Sequence, residues 1–345
     1  MRGLRKYLTP FAPDQSGAAS VLYELGGILV ICDAGGCTGN ICGFDEPRWH
    51  SRRSAVFSAG LRDMDAILGR DDKLVSELLD AAEHIDASFA AIIGTPVPSV
   101  IGTDYRALRR MTEKKTDLPV ITVDTTGMEL YDAGAEKAYL ALMERFAVEK
   151  YPVVPGRTGV LGVNPLDMSD LRAAERIREK LPGALCYGMD GSLEDIRRAS
   201  EAEKNIVCAP SGLRAAKYLR EKFGTPYEVV NPLAELPADR AFTGKRVLIV
   251  HQQVTANSLR DLLLEQGAAE VTCATWFMQK KELVRPGDVR LTEEDDFQEL
   301  VENGSYDMLM GDPTLWRIVP RFSGELADMP QFPVSGRLEG GGADE

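Results

Sequence analysis

Three cysteines, Cys32, Cys37 and Cys42, fall within eleven positions at intervals of five. Glycines are interleaved with them at Gly35, Gly36, Gly39 and Gly43. Thiolates are soft ligands suited to iron, and glycines let a backbone approach a bulky object closely. The loop therefore fits an iron–sulfur cluster, another metal or redox role, or structural cysteines. Its even spacing differs from the closer pairs of a ferredoxin or a zinc ribbon. A cluster normally takes four ligands, so a fourth would come from elsewhere in the chain or from another subunit. Clustered thiols in a reducing compartment favour metal chemistry over disulfides. The remaining cysteines, Cys186, Cys208 and Cys273, are scattered.

An apolar run, Ile28–Ile31, leads into this loop, which places it where open α/β sheets bind ligands, at a strand's C-terminal end. Similar short apolar runs recur at Ala66–Leu68, Ala90–Ile93, Val120–Val123, Val160–Val163, Ile206–Cys208, Val247–Val250 and Met308–Met310. Most are β-branched-rich and do not alternate, as strands buried on both faces of a parallel sheet do not. Helical patterns lie between them at Asp72–His84, Asp132–Phe146, Asp167–Lys180, Gly212–Phe223 and Ser258–Gln266. The alternation predicts an α/β chain of three Rossmann-like, doubly wound domains with mainly parallel sheets. Pro/Gly-rich stretches near Tyr151–Gly156 and Asn231–Gly244 divide it into 1–150, 151–236 and 237–345, with a frayed Gly-rich tail from Gly340.

The chain has 345 residues, 44% hydrophobic, with a net charge of −13. That balance argues against a diffuse nucleic-acid binder. No apolar run approaches a membrane span and no signal peptide is evident, so a cytoplasmic location is expected. No phosphate-cradling G-x-x-x-x-G-K-[ST] loop is present, nor a G-x-G-x-x-G after a strand, so no nucleotide site is expected.

Several segments in order resemble the nitrogenase component 1 superfamily. Gly35-Gly36-Cys37 resembles its Gly-x-x-Gly-Cys cluster loop, and residues 65–74 its "D-I-V-F-G-G-x-x-K-L" segment. Pro98–Asp104 is similar to its "L-I-G-D-D" turn, and Pro119–Gly127 to the strand before its Gly-Phe turn. Asp190–Ile196 resembles "D-G-S-x-x-E-I", Asn205–Cys208 with Lys222–Pro226 resembles "N-L-V … K-Y-G-I-P", and Gly244–Val247 matches "G-K-R-V". The superfamily includes nitrogenase subunits, cofactor scaffolds, dark-operative protochlorophyllide reductase and nickel-sirohydrochlorin reductive cyclase.

The resemblance also has departures. Where a nitrogenase subunit has two further cysteines, this chain has Pro13-Asp14 and Thr95-Pro96. Of that family's cluster cysteines only Cys37 has a counterpart, so an eight-iron cluster is not expected. A [4Fe–4S] cluster on Cys37, flanked by Cys32 and Cys42 and cradled by Gly35, Gly36 and Gly39, fits better, within the loop or shared between subunits. Asp14 lies where protochlorophyllide reductase relatives use a carboxylate ligand, with a solvated or capping role as the alternative. Cys208 stands near the place of nitrogenase's cofactor cysteine, against a simple buried cysteine. No histidine follows His251, so nitrogen fixation is not expected. His251 either faces a strand-end crevice or is a core histidine; His50 with Arg52 and Arg53 either docks an acidic donor or is a solvated cluster. Trp276, Phe277 and Trp316 are expected to pack the third domain.

The resemblance implies an oxidoreductase subunit that accepts low-potential electrons from an ATP-dependent iron-protein partner and reduces a small-molecule substrate. It also implies a homodimer or a pairing with a similar subunit. A metallocofactor assembly scaffold, or a homologue without a cluster that binds a small molecule or partner, are the alternatives.

Overall fold

The computed structural model describes residues 5–62, 65 and 71–339. The expected strand Ala66–Leu68 and the tail from Gly340 lie outside them. The protein is α/β, built on three wholly parallel sheets, each drawn from one stretch of chain.

The first sheet has the order β2-β1-β3-β4, with β1 at Gly27–Ile31, β2 at Ala55–Ser58, β3 at Phe89–Ile93 and β4 at Val120–Val123. Strands β1 and β3 are buried at every position, as non-alternating apolar runs require. Because side chains alternate, Leu29 and Ile31 enter one apolar layer and Ile28 and Val30 the other. Helices α1 (Asp14–Leu22) and α6 (Tyr131–Phe146) cover the first layer. Helices α3 (Asp71–His84) and α5 (Tyr105–Glu113) cover the second. Between them lie α2 (Gly36–Asn40) and α4 (Pro96–Ile101).

Helices α1 and α6 pack backbone to backbone. A Cβ on Gly17 would overlap the Tyr131 carbonyl oxygen, and one on Gly134 would overlap that of Asp14. Glycine at both positions lets α1 sit flush on α6, which fixes Asp14 and the start of α1.

The second sheet, β6-β5-β7-β8, uses β5 (Val154–Leu161), β6 (Leu185–Cys186), β7 (Ala202–Val207) and β8 (Tyr227–Val229). Its helices are α7 (Pro165–Met168), α8 (Ala173–Lys180), α9 (Leu193–Arg197) and α10 (Leu213–Phe223). The expected helix Asp167–Lys180 is thus two pieces. The Asn164 side chain caps α7, Ser169 turns left-handed at φ 55°, and Asp170 accepts from the Arg172 N–H before the chain winds again.

The third sheet, β11-β10-β9-β12-β13, comprises β9 (Arg246–Val250), β10 (Glu270–Thr275), β11 (Val289–Arg290), β12 (Met308–Gly311) and β13 (Glu325–Asp328). Helices α11 (Gln253–Glu265), α12 (Glu294–Asn303) and α13 (Phe332–Ser335) accompany it. The N-terminal segment closes it: the Glu294 carboxylate accepts the N–H groups of Lys6, Tyr7 and Leu8, and Phe11 packs on Trp276 and Phe277.

None of the strands β2, β6, β8, β10, β11 and β13 is among the apolar runs expected from the sequence. Five are edge strands, half exposed or very short, and β10 alternates polar and apolar residues. Their position in a sheet, which composition does not encode, makes them strands.

Candidate functional site

The Cys32–Cys42 loop leaves the C-terminal end of β1. Gly35, at φ 109°, occupies a conformation that side chains rarely adopt, and turns the chain into α2. After Asn40 the helix widens into a single π turn, Ile41–Asp45, where the Glu46 N–H bonds the Ile41 carbonyl. Inserted π turns of this kind are frequent at functional sites.

Asp33 holds the turn in place. Its buried carboxylate accepts from the Thr38 N–H at 2.7 Å, the Thr38 hydroxyl at 3.0 Å and the Ser58 hydroxyl at 2.6 Å, tying α2 to β2. Below the turn, buried Arg48 reaches Glu46 at 2.6 Å, Glu24 at 2.8 Å and the Ser20 carbonyl at 2.6 Å, with Tyr23 under its guanidinium. Asp45 accepts from Ser16 and Asn40, both at 2.6 Å. Sequence reading missed Asp33, Arg48, Glu46 and Asp45. Asp33 follows an apolar strand, which places it at the favoured strand end, whereas the Arg48 cage has no local signal.

The three thiols are placed differently. Cys37 and Cys42 lie half-exposed on the continuous α2–π turn. Cys32 lies beneath it, 1% exposed, in the apolar layer of Ile28, Val30, Leu74 and Leu108. Burial, with Asp33 and Asp71 nearby, pushes its thiol up to about 12. Burial also raises Cys37 and then Cys42, reinforced by Asp33 at the first and by Glu46 and Asp33 at the second. Among the described residues, no three His, Cys, Asp or Glu side chains are grouped to hold a metal. A Cβ on Gly35, Gly36, Gly39 or Gly43 would meet nothing within 4 Å, so the outer face of the loop is open.

The family's two other cysteine places converge here. The buried Thr95 hydroxyl lies beside Cys37 and donates to the Cys32 carbonyl at 2.6 Å. Pro96, next to it, lies against Gly127. Asp14 spends its carboxylate on the N–H groups of Gly127 (2.7 Å), Thr126 (2.8 Å) and Gln15 (3.0 Å). It is fully buried, so it is not a solvated residue, and its carboxylate satisfies the backbone of the Thr126–Gly127 turn.

Cys208 is buried in the apolar layer against the second sheet, its thiol raised well above the ordinary range by burial. His251 is buried directly after the end of β9. Its Nδ1 accepts from the Gln252 N–H at 2.9 Å, and burial lowers its pKa to about 4. It lines a cavity of about 180 Å³ between the second and third sheets, with Asp167 and Asp170 opposite. Asp167 accepts from Asn164 (2.6 Å), Ser211 (2.7 Å) and Tyr131 (3.1 Å), and burial raises its pKa to about 7. His50 is exposed, and Arg52 is drawn to Glu24 at 3.6 Å.

A family model described as "Nitrogenase component 1 type Oxidoreductase" matches residues 16–236. The chain belongs to that family. Among curated proteins it is similar to the "Nitrogenase iron-molybdenum cofactor biosynthesis protein NifE" of Klebsiella pneumoniae, 23% identical over 74% of this chain and 60% of that one. The same-named protein of Clostridium pasteurianum is 27% identical over 50% of this chain and 38% of that one. The chain thus spans only 38% and 60% of the length of these two relatives. Among solved structures, "Nitrogenase Cp1 at pH 6.5" superposes with a TM-score of 0.73 at 14% identity, covering 98% of this chain and 88% of that one, which establishes the shared fold. Among the described residues no helix is long and apolar enough to cross a membrane.

Proposed function

We propose that this component 1-type chain holds half of an iron–sulfur cluster through Cys37 and Cys42, a second such subunit supplying the other half. The observation that carries the reading is the surface around these thiols. Phe44 (76% exposed), Val100 (86%) and Met128 (85%) are exposed on the loop or on segments tied to it, as are Val97 and Ile101, and Met128 follows Gly127, which lies against Pro96. Phe44 sits on the π turn with Cys42; Val97, Val100 and Ile101 ride on α4, whose start touches Cys37 through Thr95. Large exposed apolar side chains gathered in one place mark a protein interface. Two accessible thiols per chain, doubled across such an interface, give the four ligands that a [4Fe–4S] cluster takes.

The residues fit the group in ligand type and in open space above Gly35, Gly36 and Gly39. When bound, the cluster supplies one-electron chemistry. The chain's own part is positional: Asp33 pins α2, the Arg48–Glu46 cage anchors the π turn, and the apolar rim excludes water from the ligand face. In this reading the subunit relays low-potential electrons from an ATP-dependent iron-protein partner toward a small-molecule substrate. Assembly of a metallocofactor is the second reading, and the names of the similar proteins favour it.

The test is anaerobic purification with iron, sulfide and mass determination. About four irons per dimer are expected, lost in Cys37→Ala and in Cys42→Ala and kept in Cys186→Ala and Cys32→Ala. Four irons per monomer, or iron retained in Cys37→Ala, would refute the shared site. A reduced cluster that reoxidises with its iron retained supports the relay, whereas its transfer to an apo-acceptor supports assembly.

A further inference from the structure

On the first sheet, a groove of about 960 Å³ opens along the outer edge of β4 between α5 and α6. The chain carries a net charge of −13, yet six cations line this groove against three carboxylates. Lys137 is held by Asp124 and Glu129, and Arg145 by Glu113. Arg106, Arg109 and Arg110 on α5 and Arg214 on α10 are exposed, and no ion pair occupies them among the described residues.

The floor of the groove is an unpaired strand edge. In the parallel ladder with β3, the Pro119 and Val123 carbonyls accept from Ala90 and Gly94, so the odd-numbered groups of β4 face inward. The even-numbered groups face the groove. There Glu113 takes the Val120 N–H and Lys137 the Asp124 carbonyl, and between them the N–H and C=O of Thr122 have no partner among the described residues. Short, charged edges of this kind resist indiscriminate pairing and admit only a complementary strand.

We propose that this groove takes an acidic, extended segment of a partner polypeptide as an added strand on β4. Two features favour a peptide over a small anion. The groove lies at the upper end of the ~300–1,000 Å³ of small-molecule sites, far more than a phosphate fills. Arg106 and Arg110, one helical turn apart, are spaced ~5–6 Å, close to the ~6.4–6.8 Å between alternate residues of a strand. A segment with acidic residues at every second position would thus meet successive arginines while its backbone bonds Thr122. The inference is independent of the cluster reading.

The experiment is fluorescence anisotropy at low salt with a labelled Glu-Val-Glu-Val-Glu-Val-Glu peptide and the full chain. Saturable binding is expected, weakened at least about tenfold by Arg106→Glu/Arg110→Glu, because an exposed ion pair is worth up to about fivefold and reversal makes it repulsive. Both arginines are exposed, and circular dichroism checks that the double variant folds. A copy of the peptide N-methylated at alternate residues should not bind, and the Cys37→Ala chain should bind as the unaltered chain does. Absence of saturable binding, equal binding by the N-methylated peptide, indifference to charge reversal, or tighter binding of tripolyphosphate or oligothymidylate would each overturn the proposal.

Discussion

Asp33 offers the sharpest test of how the cysteine loop is held. Its carboxylate makes three hydrogen bonds, to the Thr38 N–H, the Thr38 hydroxyl and the Ser58 hydroxyl, at 2.6–3.0 Å and almost out of water. Hydrogen bonds to a charged group contribute ~1.5–3 kcal/mol each, but they are not additive, and removing the carboxylate also relieves its desolvation. A net loss of about 3 kcal/mol is expected for Asp33→Ala. Asp33→Asn should cost only ~1–1.5 kcal/mol, because its oxygen can accept from the Thr38 N–H while its NH₂ donates to the two hydroxyls, which rotate to receive it. The loss is local, so the assay is native-state hydrogen exchange of peptides covering residues 34–46. At ~1.4 kcal/mol per factor of ten, exchange there should accelerate by about 100-fold in Asp33→Ala and about tenfold in Asp33→Asn. Peptides from the third sheet should not change. Exchange within threefold of the unaltered chain in Asp33→Ala, or equal acceleration everywhere, would refute the view that this carboxylate pins the loop.

Two further predictions concern the rest of the fold. Asp167 and His251 line one cavity, and their titrations oppose each other. The folded protein holds Asp167 protonated up to about pH 7, so this group's contribution falls as pH rises from about 4 to 7. His251 stays neutral down to about pH 4 in the folded chain but charges near 6.5 when unfolded, so its contribution rises over about pH 4 to 6.5. Stability should therefore be nearly flat across that window. Asp167→Asn should expose a stability that rises with pH, and His251→Gln one that falls, each by up to ~1.4 kcal/mol per pH unit; parallel flat profiles in urea titrations would contradict both assignments. Gly134→Ala places a methyl on the Asp14 carbonyl where α1 crosses α6 and should destabilise by ~3 kcal/mol or more, read as a lowered melting temperature. An unchanged melting temperature would mean that the two backbones do not pack this closely.

Much of the fold was legible because buried parallel strands announce themselves by composition. The runs at 28–31, 90–93, 120–123, 247–250 and 308–310 all lie within observed strands, since a strand covered on both faces needs apolar side chains at every position. Apart from β4, the edge strands were not legible. In Ala55–Ser58 and Glu325–Asp328, half the side chains meet water, so no pattern separates them from loop. The break at Ser169 was missed because it depends on the Asn164 cap and on Asp170, whose competition with helix continuation is settled only by the packing around them.

The sequence by itself determined the family, through motifs strung in order along the chain, and the alternation of strand and helix that makes the protein α/β. It also put Cys32, Cys37 and Cys42 in one loop after a strand. Only the tertiary structure decided that these thiols lie in different environments, Cys32 in the core layer and Cys37 and Cys42 on an open turn. It alone brought Thr95 to Cys37 and Asp14 to the turn at Gly127, across separations of 58 and 113 residues. The physical reason is that local sequence sets the period and the caps, whereas burial and hydrogen-bond satisfaction are properties of contacts between segments far apart in the chain.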